Sequence, residues 1–245
     1  EVNRRLAPLG RKIGPDPASI NAAKIGGMAA NNSSGMCCGT AQNSYNTLAA
    51  IRVMLADGTL LDTADAASVA AFKASHGALL DGLAGLAARV RADDALASRI
   101  RSKYKIKNTT GYSLNALVDY TDPVDILAHL MIGSEGTLGF ISRVTYHTVP
   151  EYAHKASALA FFPDMESACR AVVGLKQRPV DAVELLDRAS LRCVADKPGM
   201  PPLLKTLPDG VTALLIETRA PSATELQARI ASVLEELHTY PLIEA

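Results

Sequence analysis

Apolar residues recur along the first part of the chain with the spacings of strands and helices. Between residues 48 and 63, apolar positions alternate on both sides of Asp57-Gly58, a pair that accepts the positive φ angles of a tight turn, which predicts a β-hairpin. The Ala- and Leu-rich segment 68–97 predicts two helices, or one helix broken near His76-Gly77. The other predicted elements before Pro150 are a helical turn at 1–9 ended by Gly10, a short helix at 113–118, an apolar run at 125–131 and a strand at 140–149.

A different order of elements follows Pro150. The pattern there predicts strands at 156–162, 180–186 and 211–217 and helices at 165–176, 187–194 and 222–237. Ser222, with Glu225 three residues later, has the spacing of a capping box at a helix start. The proline-rich segment 197–209 predicts a surface loop. We therefore expect an α+β protein with one part at 1–150 and a second at 151–245.

Composition narrows the class of partner. The chain has 245 residues, 48% of them hydrophobic, and its 25 basic residues balance its 25 acidic ones, so no net field favours nucleic acid or an anionic membrane. A small-molecule ligand is the better expectation. No apolar run is long enough to span a bilayer and the first residues are too charged for a secretory signal, so we expect a cytoplasmic protein. Because the chain starts at Glu1 and ends without a solvated tail, we also expect a fragment of a longer protein.

Cysteine and histidine spacings give no sign of a metal site. Cys37, Cys38, Cys169 and Cys193 lack the two-residue gap that places thiolates on one metal or one iron–sulfur cluster, so we expect reduced core thiols. The five histidines are scattered and receive no role.

Two glycine-rich stretches carry the candidate chemistry. In 25–35, successive small residues let amide N–H groups point at one anion, and a pyrophosphate suits such a surface. The glycine spacing differs from a Rossmann fingerprint, and no Gly-Lys-Ser/Thr of a Walker loop is present. In 133–139, three glycines precede a strand and allow a flat ligand to approach. The alternatives are a tight turn packed with small residues for the first stretch and a β-bulge or a sharp entry to a strand for the second.

Five motifs of the chain resemble those of one protein family and occur in the same order as in that family. They are Gly14-Pro15-Asp16-Pro17, Ile25-Gly26-Gly27-Met28, Asn31-Asn32-Ser33-Ser34-Gly35, the hairpin Leu55-Ala56-Asp57-Gly58-Thr59 and Gly133-Ser134-Glu135-Gly136-Thr137-Leu138-Gly139. They resemble the FAD-linked oxidases of the p-cresol methylhydroxylase and vanillyl-alcohol oxidase superfamily. Asn108-Thr109-Thr110-Gly111-Tyr112 resembles the branch of D-lactate, glycolate and D-2-hydroxyglutarate dehydrogenases. The run 31–40 is similar to large bacterial members that also carry a C-terminal iron–sulfur region.

The resemblance implies a fold and a set of cofactor contacts. Residues 1–150 would be the second subdomain of a two-part FAD-binding domain, and 151–245 the start of a ferredoxin-like substrate or cap domain. It implies FAD pyrophosphate and ribityl contacts at Pro15, Asp16, Gly26, Gly27, Asn31, Ser34 and Gly35. It implies adenine and ribose contacts at Gly133, Glu135, Gly136, Thr137, Gly139 and Ile141, and isoalloxazine contacts at Lys107, Asn108 and Tyr112. The family's metal-binding and catalytic histidines would follow Ala245, so no catalytic residue is assigned.

The implied reaction is oxidation of a D-2-hydroxy acid to the 2-oxo acid by hydride transfer to flavin N5, with electrons passing to an acceptor such as an iron–sulfur region of the parent chain. Arg178, Arg188 and Arg192 have the chemistry to bind the substrate carboxylate, the alternative being a solvated helix face. One rival hypothesis is a non-catalytic binding or interaction module that keeps the fold without flavin. Another is a UDP-sugar reductase of the same superfamily, against which the 108–112 segment argues.

Overall fold

A computed structural model describes residues 1–243 of the chain. The chain divides into two compact units, unit 1 (Glu1–Pro150) and unit 2 (Glu151–Ala245). Helices and largely antiparallel strands occur in both units, which confirms the α+β class. None of the helices in the described part of the chain has the length and apolar character needed to cross a bilayer.

Unit 1 packs helices around a three-stranded sheet. Its helices are α1 (Val2–Leu6), α2 (Ile25–Asn31), α3 (Ser44–Thr47), α4 (Ala66–Ser75), α5 (Gly77–Ala92), α6 (Asp94–Lys103), α7 (Ala116–Asp119) and α8 (Pro123–Met131), with a 3-10 turn at Ala7–Leu9. Its strands are β1 (Arg11–Ile13), β2 (Leu48–Met54), β3 (Leu60–Asp62), β4 (Phe140–Tyr146) and β5 (Thr148–Pro150).

The central strand of this sheet is β2, which pairs antiparallel with β3 and β4. Alternate residues of β2, Ile51 and Val53, are buried in the core together with Leu61 of β3. Helix α8 is capped by the side chain of Asp122 and is almost wholly buried against the same core. The glycine loop that follows α8 therefore starts from a rigid part of unit 1.

The predicted β-hairpin forms, but its turn differs from the expected one. Gly58 takes a positive φ of 84°, whereas Asp57 does not. The Gly58 N–H donates to the carbonyl of Leu55, and the Leu55 N–H donates to the carbonyl of Thr59. This pattern is a turn followed by a one-residue bulge, so only the glycine needs a left-handed backbone.

The predicted strand at 140–149 is divided in two. β4 belongs to the central sheet, while β5 forms a separate antiparallel pair with β1, in which Lys12 lies opposite Val149. The N–H of His147, between the two strands, donates to the carbonyl of Thr47, and this turns the chain from one sheet to the other. Because β1 is only three residues long and two of them are basic, the apolar pattern did not predict it.

The helical region 68–97 breaks at His76, as one of the two predicted arrangements requires. A third helix, α6, follows and continues to Lys103. It begins because Asp93 caps the helix by accepting from the N–H of Leu96. The polar composition of 98–103 concealed this continuation, since α6 buries only Ala97 and Ile100.

Unit 2 is a three-stranded antiparallel sheet with helices on it. Its elements are β6 (His154–Phe162), α9 (Met165–Leu175), β7 (Ala182–Leu186), α10 (Arg188–Val194), a 3-10 turn at Pro202–Lys205, β8 (Thr212–Ala220) and α11 (Ala223–Leu237). Strand β8 lies between β6 and β7, so the unit contains a split β-α-β arrangement of the ferredoxin-like type. Ser222 caps α11 by accepting from the N–H of Glu225, as the capping-box spacing predicts.

The cysteines correct one prediction. Cys38 is buried and Cys37 is half-buried, but Cys169 and Cys193 are exposed, so these two are not core thiols. They lie on helices α9 and α10, where the buried positions are taken by Ala168, Ala171 and Leu191. Within residues 1–243, no cluster of three or more His, Cys, Asp or Glu side chains is placed to hold a metal ion.

Candidate cofactor site

The first glycine-rich stretch begins with the short helix α2 rather than with an open loop. Its N-terminal turn contains Gly26 and Gly27, both exposed, and its buried face consists of Met28 and Ala29. The first amides of a helix lack an intrahelical partner, so they are free to bind an acceptor. A Cβ atom at Gly26 or Gly27 would meet no atom within 4 Å. The backbone of this turn is therefore accessible to a ligand.

The second glycine-rich stretch lies directly against the C-terminal end of α2. The N–H of Gly133 donates to the carbonyl of Ala29 at 3.1 Å, and the N–H of Glu135 donates to the carbonyl of Ala30 at 2.9 Å. The side-chain amide of Asn31 donates to a Glu135 carboxylate oxygen at 2.6 Å. The two stretches are thus neighbours on one surface of unit 1, as binding of one extended ligand requires.

The polar segment 107–113 joins the same surface. Lys107 Nζ donates to the carbonyl of Ser34 at 3.0 Å, and the hydroxyl of Tyr112 lies 2.9 Å from that of Thr137. Ser113 Oγ donates to the carbonyl of Ile132 at 2.7 Å and holds the segment to the end of α8. We call residues 25–35, 107–113 and 133–139 the three-segment surface.

Much of the three-segment surface is bare backbone. Gly111 and Gly136 are exposed and have positive φ angles of 76° and 77°, and a Cβ on either would meet no atom within 4 Å. Ser134, two residues before Gly136, is 2% exposed, and its Oγ has no hydrogen-bond partner in the described part of the chain. Accessible peptide groups beside an unpartnered hydroxyl are suited to a flat, polar ligand.

Comparisons with known proteins agree with this geometry. A model of the FAD binding domain matches residues 1–64, and a model of the FAD linked oxidases' C-terminal domain matches residues 151–244. The two models match separate parts of the chain in the order that one family combines them. The chain belongs to the FAD-linked oxidase family. FAD is its cofactor.

Individual relatives cover the FAD-linked oxidase chain to different extents. It is 31% identical over 87 residues to a D-lactate dehydrogenase of Archaeoglobus fulgidus, a match covering 35% of this chain and 17% of that protein. Two crystal forms of alkyldihydroxyacetonephosphate synthase share its fold, with TM-scores of 0.60 and 0.59 and identities of 15% and 17%. The two matches cover 99% and 96% of this chain, and this chain spans 37% and 35% of the length of the two synthase chains. None of these matches supports an iron–sulfur partner.

The three-segment surface of the oxidase fits FAD in its chemistry. The exposed glycines leave room for a planar ring or a phosphate to reach the peptide groups, because a Cβ on Gly26 or Gly27 would meet no atom within 4 Å. The residue that could repel it, Glu135, has a carboxylate oxygen held by Asn31. The unpartnered Ser134 hydroxyl adds a donor beside the glycine loop.

Some residues expected at FAD have clear packing roles. A Cβ on Gly35 would overlap the backbone carbonyl of Asp16, so this glycine is required by the approach of the two loops. Asp16 Oδ1 accepts from the N–H of Cys38 at 3.2 Å, and Pro15 is buried. Ile141 pairs with Val53 in the central sheet. A cofactor contact at Pro15, Asp16, Gly35 or Ile141 therefore stays a prediction, as does one at Gly139, where a Cβ would press on the carbonyl of Met54.

Sequence reasoning missed two residues that shape the oxidase surface. Asn32 ends α2 with a left-handed φ of 52°, and its Oδ1 accepts from the N–H of Tyr45 at 3.1 Å. Ser113 anchors the polar segment, as described above. Asn is one of the residues that tolerate the left-handed conformation at a helix end, so Asn32 was a recognisable signal, but nothing in the sequence marks Ser113.

A buried polar cluster supports α8 behind the glycine loop. The hydroxyl of Tyr45 donates to Asp119 at 2.8 Å, and the ring of His129 stacks on Tyr120 with 3.9 Å between centroids. His129 Nδ1 lies 2.8 Å from the carbonyl of Asp125, a distance at which an Nδ1–H group donates to that oxygen. Burial lowers the pKa of His129, so this ring favours its neutral form in the folded protein.

Proposed function

We propose that this chain is part of a flavin-dependent oxidoreductase that oxidises a D-2-hydroxy acid, of the D-lactate or D-2-hydroxyglutarate type, to the 2-oxo acid. One observation carries the proposal: the two glycine-rich stretches lie side by side through the hydrogen bonds of Gly133 and Glu135 to α2. Family membership and the similarity to a D-lactate dehydrogenase support the same chemistry. The activity belongs to a longer protein, because this chain spans little more than a third of the solved relatives.

Three groups of residues would hold FAD in this proposal. Gly26, Gly27, Asn31 and Ser34 would face the pyrophosphate and ribityl chain, where their backbone donors suit an anion. Gly133, Glu135, Gly136 and Thr137 would face the adenosine side. Lys107, Asn108 and Tyr112 would approach the isoalloxazine. When bound, FAD supplies the acceptor for the hydride of the hydroxy acid.

The chain's own residues keep these groups in fixed positions. The amide–carboxylate contact from Asn31 to Glu135 holds α2 to the glycine loop. The Tyr112–Thr137 and Lys107–Ser34 hydrogen bonds hold the polar segment between them. A surface fixed at three places loses little conformational entropy when it binds its ligand.

The proposal extends to the second unit and to the partners. Residues 1–150 would be the second part of the FAD-binding domain, and 151–245 the beginning of the substrate domain. An electron acceptor would reoxidise the flavin. The alternative of a binding module without flavin gains no support from the family matches.

The decisive experiment uses the full-length protein that contains this chain. We expect purified protein to show flavin absorption, and the absorption to bleach under anaerobic conditions when D-lactate or D-2-hydroxyglutarate is added. L-Lactate is the stereochemical control and should bleach it at least about 10-fold more slowly, a difference of about 1.4 kcal/mol in activation free energy. A flavoprotein whose absorption is unchanged by every D-2-hydroxy acid tried would disprove the substrate class. A protein that binds no flavin would disprove the proposal as a whole.

A further inference from the structure

One arginine of unit 2 differs from all the others in its surroundings. Five of the six arginines form ion pairs with carboxylates inside the unit: Arg170 with Glu166, Arg178 with Glu235 and Glu236, Arg192 with Asp209, Arg219 with Glu217 and Arg229 with Glu225. The side chain of Arg188 makes no ion pair or hydrogen bond within residues 1–243. Its Nε and Nη1 atoms are nevertheless shielded from solvent.

Such an arrangement is unfavourable for a residue with only a structural role. A guanidinium donor that is shielded from water and lacks an acceptor has lost the hydrogen bonds that it makes to water in the unfolded chain. A hydrophobic side chain of similar length would avoid that loss, and replacing buried charges in this way is often neutral or stabilising. The surroundings of Arg188 are therefore suited to binding an anion from outside the described residues.

The nearest acidic residue in the sequence does not neutralise Arg188. Asp187 precedes it, but the Asp187 carboxylate caps α10 by accepting from the N–H of Ser190 at 2.7 Å. The backbone at Arg188 is fixed on both sides, because Leu186 pairs with Ala213 in the sheet and Leu191 is buried. Arg188 is thus a cation on a fixed backbone that makes no ion pair with the carboxylates of residues 1–243.

We propose that Arg188 binds the carboxylate of the 2-hydroxy acid, an inference that rests on the proposed function. The substrate is an anion at neutral pH, and the planar guanidinium can donate to both oxygens of a carboxylate. Arg178 and Arg192, the other two arginines that the sequence offered for this role, already have carboxylate partners. The paired arginines of the unit therefore leave Arg188 as the group whose charge the substrate would neutralise.

The test compares three variants of the full-length flavoprotein: Arg188→Met, Arg188→Lys and the control Arg192→Met, which removes an arginine four residues away on the same helix. In Arg188→Met we expect the KM for the hydroxy acid to rise about 10- to 100-fold, the range for loss of a charged hydrogen-bonded contact, with flavin content unchanged. Arg188→Lys should lie between this variant and wild type because it keeps the charge and loses the paired donors. Arg192→Met should keep the wild-type KM.

Thermal unfolding separates substrate binding from a structural role. Because Arg188 has no partner in the described chain, Arg188→Met should be at least as stable as wild type, whereas Arg178→Met, which breaks two ion pairs, should be less stable. If wild-type flavin is reduced by hydroxy acid and Arg188→Met keeps its KM within two-fold, the inference is wrong and the proposed function stands. Loss of folded Arg188→Met protein would also overturn it, because it would reveal a structural partner. If wild-type flavin is reduced by no hydroxy acid, the proposed function itself has failed.

Discussion

The same substitution, glycine to alanine, should have opposite effects on stability at two positions of the candidate cofactor site. At Gly35, the new Cβ would overlap the backbone carbonyl of Asp16, and neither backbone can move without separating the two loops. Overpacking of this kind costs about 1–3 kcal/mol. At Gly26, the new Cβ would meet no atom within 4 Å, and the residue lies in a helix. Alanine there should stabilise unit 1 by about 0.4–1 kcal/mol, because it restricts the unfolded chain.

The affinity for FAD should distinguish a substitution at Gly26 from the same substitution at an exposed glycine outside the candidate site. Gly82 of α5 provides the matched control, since it is exposed, helical and equally free of neighbours. Gly26→Ala and Gly82→Ala should both be slightly stabilising, but only Gly26→Ala should weaken FAD binding. We expect a loss of at least about 10-fold, or about 1.4 kcal/mol, because a methyl group would stand between the cofactor and the peptide groups.

Two measurements on the full-length protein check this prediction. Urea unfolding followed by circular dichroism gives the free-energy changes, and titration of the apoprotein with FAD, followed by flavin fluorescence, gives the affinities. If Gly26→Ala binds FAD as tightly as Gly82→Ala, the helix turn does not face the cofactor and the placement of Gly26 and Gly27 is wrong. If Gly35→Ala is as stable as wild type, the close approach to Asp16 is wrong.

Three further predictions concern the framework of the two units. Burial lowers the pKa of His129, so on acidification the unfolded chain takes up a proton that the folded chain does not, and unit 1 should lose stability as pH falls below about 6.5. Urea unfolding near pH 7.5 and 5.5 should show a smaller loss of unfolding free energy in His129→Phe than in wild type. An equal loss in the two proteins would exclude this residue as the cause. Ser222→Ala should destabilise unit 2 by about 1 kcal/mol through loss of the α11 cap, measured by thermal unfolding, and no change would mean that the cap is not formed in solution. Phe72→Ala should lower the unfolding free energy by about 3–5 kcal/mol because the Phe72 side chain is 1% exposed. Phe140 is 68% exposed, so Phe140→Ala should change the unfolding free energy by less than about 0.5 kcal/mol. Similar changes in the two variants would contradict the assigned core.

The sequence predicted elements well where periodicity was long and capping residues were clear. Strands β6 and β8 and helices α9 and α11 follow the expected pattern, and Ser222 marks the start of α11 as expected. Short elements stabilised by distant partners were missed. Strand β1 has three residues and is explained only by β5, which is more than 130 residues away in the sequence.

The candidate site shows the same limit. Small residues indicated where a ligand could approach the backbone, but composition could not show that Gly26 and Gly27 lie in a helix turn. Composition also could not separate Gly35, which an adjacent backbone requires, from Gly136, which has open space around it. Nor could it distinguish Arg188 from Arg178, because the difference depends on which carboxylates the fold brings near each guanidinium.

The pairing of β1 with β5 also has a consequence for biosynthesis. Residues 11–13 form one strand of the pair and residues 148–150 form the other, so segments near the start and at the end of unit 1 are paired as adjacent strands. Strands β1 and β5 can pair only after residues 148–150 have left the ribosome. Folding of unit 1 is therefore completed late in synthesis, and its first helices are accessible to chaperones until then. Since Arg11 lies opposite Pro150, only residues 1–10 separate the start of unit 1 from this pair, and a linker from Pro150 to Glu1 with the chain opened at the Asp57-Gly58 turn should yield a permuted unit 1 that still folds.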